Sequence, residues 1–332
     1  MAPWRTPVHR DGARPDRGNE TDQGHASPGT ATAVGDAPRP GRADGAGQEA
    51  RALSQQDLPE ALAVCGQDPV TSVLAATRLE IAARAGFSAA GGQAWGFPAS
   101  GRLEAVCWAG ANLVPVVPDP AVRPEAVAAF AALARVHGRR SSSVVGEQAA
   151  ALGLWDHLSA YWPSAREIRA DQPSLAIDRD PDVAPEPSVR PSRLDELEIV
   201  LPACVRMFTE EVGYSPVATG GSAYAERVRS LVAEGRSYIR TVGAPGRRQA
   251  VAFKAEIGAL TAGVAQVQGV WVDPAYRGRG WSESGMASVV VQARRAFAPV
   301  VSLYVNAYND RAIAAYRRVG FEQVGTFATI LF

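Results

Sequence analysis

A glycine-rich turn is the stretch of this sequence best suited to bind a charged group. Residues 277–280 read Arg-Gly-Arg-Gly, after an apolar strand pattern that Pro274 ends and before a helical pattern that begins at Trp281. Glycine lets the backbone turn with its N–H groups exposed, and the start of a helix adds free N–H groups and a favourable dipole. We therefore expect a phosphate group to bind at this turn. The simpler interpretation is an ordinary surface connection between a strand and a helix.

Asn309, Ala312 and Tyr316 form a second candidate group. Their spacing of three and four residues puts them on one face of a predicted helix. The phenol of Tyr316, with an ordinary pKa of about 10, is suited to protonate a leaving thiolate, and the small Ala312 leaves room for a ligand beside it. Asn309 is equally suited to cap the helix, and Tyr316 to pack in a core.

Three carboxylates are candidates for a base that would accept a proton from an amine. Glu210 and Glu211 are predicted to lie in a loop between two helices. Glu256 is predicted on a central strand, where a charged residue is unexpected unless it faces a cleft. The alternative is a pair of solvated carboxylates and a Glu256 that faces the edge of the sheet. The sequence does not choose among the three.

The composition indicates a globular chain of two domains. The chain has 332 residues, 46% of them apolar, and a formal net charge of zero, so no overall field favours nucleic acid or anionic lipid. Its three cysteines lie far apart without a CxxC pair, which argues against disulfides and against a metal site. No apolar run approaches the ~20 residues of a membrane span, and no signal peptide is evident. We expect a cytoplasmic protein that uses no metal.

The predicted elements divide the chain into four parts. Residues 1–50 carry almost no large apolar side chain and are predicted to be disordered, and residues 178–187 have the composition of a linker. Residues 51–177 alternate helices and strands as an α+β domain, with closing strands at 167–169 and 174–177. Residues 188–332 read as a strand, two helices, three strands, a helix, a strand, a helix and a strand. The two halves share a loose order of elements, so a duplicated fold is an option.

This order of elements, with its glycine turn, resembles the GNAT superfamily of N-acetyltransferases over about residues 188–332. The superfamily's loop consists of Arg or Gln, two residues, Gly, one residue, and then Gly or Ala. The matching positions here are Arg277, Gly280 and Ser282. Serine is a departure from the pattern, but it is small and keeps its backbone N–H.

The superfamily's second motif is Asn, Ala and Tyr at the spacing of Asn309, Ala312 and Tyr316, followed by Gly-Phe as at residues 320–321. The resemblance implies a twisted mixed or antiparallel sheet flanked by helices, acetyl-CoA as co-substrate, and Tyr316 as the acid that meets the leaving thiolate. It also implies that the contacts to CoA come from the strand, the turn and two helices, namely from Val270, Trp271, Val272, Arg277, Gly278, Arg279, Gly280, Trp281, Ser282, Asn309 and Ala312.

Residues 52–177 resemble the uncharacterised domain that precedes a GNAT domain in a family of bacterial proteins. The resemblance is carried by Asp68-Pro69-Val70, by residues 110–115, by the Arg-Arg-Ser-Ser-Ser run at 139–143 and by Gln172-Pro173. It implies a degenerate GNAT-like half, and hence a tandem architecture. Pro118-Asp119-Pro120 stands where the phosphate turn would be, and its two prolines have no N–H to donate. We therefore do not expect this half to bind CoA in the same way.

The function that the resemblance implies is acetyl-CoA-dependent N-acetylation, with direct transfer to a primary amine of a small molecule, peptide or protein. One alternative is the transfer of an acyl or aminoacyl group to a thiol-cofactor precursor or a peptide. Another is a non-catalytic CoA-binding sensor or scaffold. The sequence names neither the acceptor nor the base, and it allows a monomer or a homodimer.

Overall fold

The computed structural model describes residues 49–218, 221–243 and 249–332. The disordered tail predicted for residues 1–50 therefore lies almost wholly outside the described residues. Within them the chain forms twelve β-strands and eight α-helices, besides four short 3₁₀ turns. None of these helices is both long and apolar enough to cross a membrane.

The strands vary from two to eleven residues in length. In chain order they are β1 (Arg51–Ala52), β2 (Gln93–Phe97), β3 (Ala105–Ala109), β4 (Asn112–Val116), β5 (Ser143–Glu147), β6 (Glu167–Ile177), β7 (Arg190–Pro191), β8 (Ser237–Val242), β9 (Ala250–Leu260), β10 (Val264–Val272), β11 (Val300–Tyr304) and β12 (Glu322–Leu331).

The helices lie between these strands. In chain order they are α1 (Leu58–Cys65), α2 (Pro69–Ala90), α3 (Arg123–His137), α4 (Gln148–Leu158), α5 (Leu197–Val212), α6 (Ser222–Ala233), α7 (Trp281–Ala296) and α8 (Asp310–Val319).

Each half of the chain has the same order of elements. A strand is followed by two helices, three strands, a helix, a strand, a helix and a strand, first from β1 to β6 and again from β7 to β12. The duplicated fold that the sequence allowed is therefore present. The expected α+β class is confirmed, with helices flanking a large mixed sheet.

The two halves exchange their last strands. All twelve strands form one sheet in the order β1-β2-β3-β4-β5-β12-β6-β11-β10-β9-β8-β7. β12, from the second half, pairs antiparallel with β5 of the first half, and β6, from the first half, pairs antiparallel with β11 of the second. β6 and β12 also pair with each other over most of their length. The junction of the halves is therefore continuous sheet rather than a docked surface.

The hydrophobic cores show the same exchange. Ala328 and Ile330 of β12 are buried with Phe130 and Leu154 in the core of the first half. Leu175 and Ile177 of β6 are buried with α7 and β9 in the core of the second. Fully burying one such aliphatic side chain is worth about 1.5–3 kcal/mol. Each half therefore has an incomplete core without the strand that the other half supplies.

Two local predictions differ from the structure. The closing strands predicted at 167–169 and 174–177 are one strand, β6, because β12 pairs with it on both sides of the polar stretch between them. Glu210 and Glu211 were predicted in a loop, but they lie in the last turn of α5, which continues to Val212 and ends at Gly213 with a φ of +85°.

The predicted linker at residues 178–187 lies against the second half. The backbone N–H of Asp182 donates to the Val319 carbonyl at 2.9 Å, and the backbone N–H of Glu186 donates to the Ser284 carbonyl at 3.0 Å. The Glu186 carboxylate also pairs with Arg240 at 3.0 Å. The limits of the two domains remain a prediction.

Candidate active site

A cleft of about 1290 Å³ opens where the two halves meet. The second half lines it with the end of α5, β10 and the loop after it, β11 and α8, and the exchanged strands β6 and β12 also reach it. The first half contributes a smaller set of side chains, namely Leu74, Asn112, Ser143, Val145, Arg169 and Gln172. Of the site residues predicted from the sequence, all except Arg279 and Glu256 line this cleft.

Within the described residues, part of the edge of β10 has no strand partner. β10 and β11 pair in parallel only at residues 264–266 and 300–302. On its other edge β10 keeps its pairing with β9, apart from a register shift between Gln266 and Val267 and a bulge between Gln268 and Trp271. Gly269, in the bulge, has a φ of +59°, and its carbonyl accepts a hydrogen bond from Lys254 Nζ at 3.1 Å. Residues 267–272 therefore line the cleft with an unpaired edge.

The loop after β10 leaves backbone donors available at the start of α7. The Asp273 carboxylate accepts a hydrogen bond from Ala275 N at 3.0 Å and closes the first turn. Gly278 and Gly280 have φ of +77° and +73°, the region that favours glycine, and a side chain at either would extend into open space. The first helical bond runs from Ser284 N to Gly280 O, so the three N–H groups before it have no partner within the helix.

Glu210 is held by two neighbours at the edge of the cleft. Its Oε2 lies 2.6 Å from Nη2 of Arg277, and its Oε1 accepts a hydrogen bond from the indole N–H of Trp271 at 3.2 Å. Arg277 also donates from Nε to the Val272 carbonyl at 3.0 Å. Both carboxylate oxygens of Glu210 are therefore occupied, and Arg277 is fixed beside the loop.

Arg279 lies outside the lining of the cleft. Its guanidinium carbon is 5.4 Å from the ring centre of Tyr276 and 5.8 Å from that of Trp281. The two rings stack on each other with their centres 5.1 Å apart, and Arg240 lies 3.7 Å from the Trp281 ring. These cation–π contacts stabilise the conformation of the loop. A contact between Arg279 and a phosphate remains a prediction.

Tyr316 lies on the face of α8 that borders the cleft. Asn309 caps this helix, because its Oδ1 accepts a hydrogen bond from Ala312 N at 3.2 Å, and both residues line the cleft as well. Burial and the negative charge of Glu211 raise the pKa of Tyr316 well above its usual range. The ring packs edge-on against Phe321, with the centres 6.0 Å apart. At neutral pH the hydroxyl is therefore protonated and can donate.

Glu211 faces the cleft with fewer partners than Glu210. Its nearest cation is Arg169 of β6, with Nη1 at 3.7 Å from Oε1, and its side chain is 52% exposed. Burial, together with the charge of Glu211, also raises the pKa of Tyr304 to about 12. The carboxylate is therefore within electrostatic range of both Tyr304 and Tyr316.

Glu256 lies in a buried ion pair behind the bulge of β10. Its Oε1 is 2.6 Å from Lys254 Nζ and accepts a contact from Cys204 Sγ at 3.4 Å, and its Oε2 is 3.7 Å from Arg227. Glu256 and Lys254 are 2% and 0% exposed. The charge that was unexpected on a central strand therefore has a buried partner instead of a position in the cleft.

The first half retains the framework of this site without its chemical groups. Residues 119–121 read Asp-Pro-Ala, as do residues 273–275, and in both turns the aspartate accepts from the alanine N–H. After the first of these, α3 begins at once at Arg123, with no glycine loop. At the start of α4 the cap is Glu147, which accepts from Ala150 N at 2.8 Å. Leu154, fully buried, occupies the position of the tyrosine, so no phenol is available.

Sequence reasoning missed Arg169 and Gln172, the residues of β6 that line the cleft. They lie at least 25 residues before α5 and more than 90 before β10 in the sequence. Only the pairing of β6 with β11 and β12 brings them to the second half. A local pattern carries no signal for such a pairing.

Comparisons with known proteins agree with this geometry. Residues 234–321 match the family model "Acetyltransferase (GNAT) family", and residues 92–200 match "Domain of unknown function (DUF4081)". No curated protein matched the chain.

Several solved structures are similar in fold. A Drosophila protein is 12% identical, with a TM-score of 0.59 over 85% of this chain and 98% of its own. A GCN5-related N-acetyltransferase from Sphaerobacter thermophilus is 18% identical, with a TM-score of 0.54 over 85% of this chain and 95% of its own. A tandem GNAT protein from the clavulanic acid biosynthesis pathway is 14% identical, with a TM-score of 0.48 over 85% of this chain and 98% of its own.

The family match covers the loop after β10, α7, β11 and α8, and the structural similarity extends over both halves. The second half is thus an acyltransferase domain of a family that in general uses acetyl-CoA. The chain thus carries a segment of the GNAT acetyltransferase family, matched at residues 234–321, after a domain of uncharacterised type, matched at residues 92–200.

Proposed function

We propose that the protein is an acetyl-CoA-dependent N-acetyltransferase that transfers the acetyl group to a primary amine by direct attack in a ternary complex. The observation that carries the proposal is the presence, in one cleft, of free helix N–H groups, an unpaired strand edge and a protonated tyrosine. A surface turn and a core tyrosine would have no reason to share a cleft. Bound acetyl-CoA would supply the activated acetyl thioester.

The residues present fit a CoA-type ligand at two points. The first N–H groups of α7, with open space beside Gly278 and Gly280, suit a pyrophosphate. The unpaired edge of β10 at residues 267–272 suits the amide groups of a pantetheine arm, which can pair with it as another strand would. In this arrangement the amide of Val270 or Val272 donates to the thioester carbonyl oxygen as negative charge develops there.

We assign the base to Glu211 rather than to Glu210 or Glu256. Glu210 has both oxygens engaged, by Arg277 and Trp271, and Glu256 is buried in its pair with Lys254. Glu211 lines the cleft and is half exposed, so an ammonium group can reach it directly or through one water.

The protons balance between Glu211 and Tyr316. Glu211 takes one proton from the acceptor ammonium, and the neutral amine forms the C–N bond while the C–S bond breaks. Tyr316 gives its hydroxyl proton to the departing sulfur and is reprotonated by the proton that the new amide nitrogen loses. Glu211 then releases its proton to solvent, which regenerates the base. Because its pKa is raised, Tyr316 is a weaker acid than a free phenol, and its first contribution is a hydrogen bond to the sulfur.

The experiment combines calorimetry with a thiol-release assay. We expect acetyl-CoA to bind and at least one class of amine in a panel of small amines, peptides and proteins to release free thiol. The only lysine of the chain, Lys254, is fully buried, so acetyl-lysine that appears in a mixture with protein acceptors reports the acceptor and not the enzyme. Binding without turnover on any acceptor would favour a CoA sensor, and no binding at all would refute the proposal.

A Tyr316→Phe variant separates binding from chemistry. We expect kcat to fall about 100-fold, as for loss of a general acid, while the Kd for acetyl-CoA changes little. An unchanged kcat would remove Tyr316 from the mechanism.

A further inference from the structure

Strand β6 comes from the first half but runs beside the cleft of the second. It lies between β12 and β11, and its residues Arg169 and Gln172 line the cleft. Gln172 is buried, donates from Nε2 to Asn306 Oδ1 at 2.8 Å and accepts from Thr329 Oγ1 at 2.6 Å. These bonds, with the ladders on both edges, fix β6 in position relative to the second half.

Arg169 connects this strand to the end of α5. Its Nε and Nη2 donate to the two oxygens of Glu167 at 2.8 and 3.1 Å, a two-pronged pair. Nη2 also donates to the backbone carbonyl of Glu211 at 3.1 Å, and Nη1 lies 3.7 Å from the Glu211 carboxylate. The Arg169 side chain is only 9% exposed. A planar guanidinium that one carboxylate clamps in this way keeps a single orientation.

The carbonyl that Arg169 binds would otherwise lack a helical partner. Glu211 lies in the last turn of α5, where backbone carbonyls no longer meet an N–H of the same helix. A cation at this end is also favoured by the helix dipole. Arg169 therefore caps the C-terminal end of α5 from another part of the chain.

Among the described residues, four titratable groups outside α5 interact with Glu211, each from a different element. Arg169 approaches from β6, Tyr304 from β11, Tyr316 from α8 and Tyr224 from α6. On α5 itself the neighbour is Glu210, which pairs with Arg277. Of the four groups from other elements, Arg169 is the only cation.

We propose that Arg169, contributed by the first half, is a positioning residue for acetyl transfer, because it holds the last turn of α5 and with it the Glu211 carboxylate in the cleft. The inference rests on the proposed role of Glu211. It gives the first half a task in the reaction, although that half lacks its own glycine loop and tyrosine.

The test compares Arg169→Met with Arg190→Met in the full-length chain. Arg190 pairs with Glu196 through two bonds of 2.6 and 2.8 Å at the opposite end of α5, away from the cleft, so its loss is a matched structural control. We expect Arg169→Met to lower kcat about 10- to 100-fold with little change in the KM for acetyl-CoA. Arg169→Lys should recover part of the loss, and Arg190→Met should leave kcat within about 2-fold of the wild type.

Amide hydrogen exchange tests the positioning without any turnover. Loss of a charged hydrogen bond should speed exchange in the last turn of α5, at residues 209–213, about 10-fold in Arg169→Met. Arg190→Met should instead affect the first turn. If the wild type shows no acetyl transfer, the proposed function fails, and exchange alone decides whether Arg169 holds this turn. Two results would overturn the inference. One is unchanged amide exchange at residues 209–213 in Arg169→Met. The other is a wild-type kcat of Arg169→Met while Glu211→Gln is inactive.

Discussion

The buried pair of Lys254 and Glu256 gives a sharp test of the structure. Both side chains are almost fully buried, and their charges lie 2.6 Å apart. Lys254→Met would leave a buried carboxylate with only Cys204 and the more distant Arg227 beside it. Breaking a buried pair in this way costs about 3–5 kcal/mol, and Glu256→Leu should cost a similar amount because it leaves the ammonium unpaired.

The double variant Lys254→Met/Glu256→Leu removes both charges and keeps most of the apolar volume. Replacing a whole buried pair is often neutral or stabilising. The double variant still lacks the bond from Lys254 to the Gly269 carbonyl, which is worth about 1 kcal/mol. We therefore expect it to lose at most ~1–2 kcal/mol, less than either single variant loses.

The assay is urea unfolding of the wild type, both single variants and the double variant at pH 7, followed by tryptophan fluorescence. A coupling energy of at least ~3 kcal/mol is expected from the cycle. Single effects that add to the double effect within about 0.5 kcal/mol would refute the pair as described.

The same pair predicts how stability depends on pH. Burial alone would raise the pKa of Glu256, but the Lys254 ammonium and Arg227 outweigh it and lower that pKa. Burial alone would lower the pKa of Lys254, but Glu256 raises it. Glu256 contributes fully to the free energy of unfolding above its unfolded pKa of about 4.3, and this contribution is lost as the pH falls through its folded pKa.

Lys254 contributes fully below its unfolded pKa of about 10.4, and its contribution is lost only as the pH rises through its higher folded pKa. The wild type and the double variant should therefore differ by a constant amount between about pH 5 and pH 10.

Three further predictions concern the cleft and the halves. Gly280→Val places a branched side chain at a φ of +73°, which costs about 1–2 kcal/mol of backbone strain. The variant should bind acetyl-CoA at least about 10-fold more weakly in calorimetry. Unchanged binding would argue against the loop as the phosphate site. Glu211→Gln should lower kcat about 100-fold whereas Glu210→Gln should keep more than about a tenth of it, and the reverse result would make Glu210 the base. Residues 49–187 expressed alone should not give a sharp unfolding transition by circular dichroism, because β5 and β6 lack β12. Co-expression with residues 188–332 should restore the sharp transition. A cooperative transition of the isolated half would show that the exchange is not required for folding.

Much of the fold followed from local patterns. The order predicted for residues 188–332, a strand, two helices, three strands, a helix, a strand, a helix and a strand, is the order found from β7 to β12. The end of α5 was predicted too early, because Glu210 and Glu211 were read as the start of a loop although Gly213 is the actual stop signal. The exchange of β6 and β12 had no local signal, since a strand pattern does not specify its partner.

The candidate site divides in the same way. The glycine loop and the tyrosine motif could be read from the sequence, because each lies within one short segment whose spacing reflects its geometry. Lys254, two residues before Glu256, lies on the same face of a strand by its period of two, but the sequence did not show that this face is buried, so Glu256 was considered for the cleft. Arg169 could not be found, since its role depends on contacts between segments more than 40 residues apart.

The position of β12 also sets the order in which this protein can be completed during synthesis. β12 is translated after every other strand, yet it lies between β5 and β6 of the first half. At ~5–20 residues per second the ribosome needs roughly 8–30 s for the chain between the end of β6 and the end of β12. During this interval β5 and β6 are unpaired edges that can join strands of other nascent chains. The exchange that removes these edges in the finished protein thus leaves them open in the growing chain until its last strand has been made.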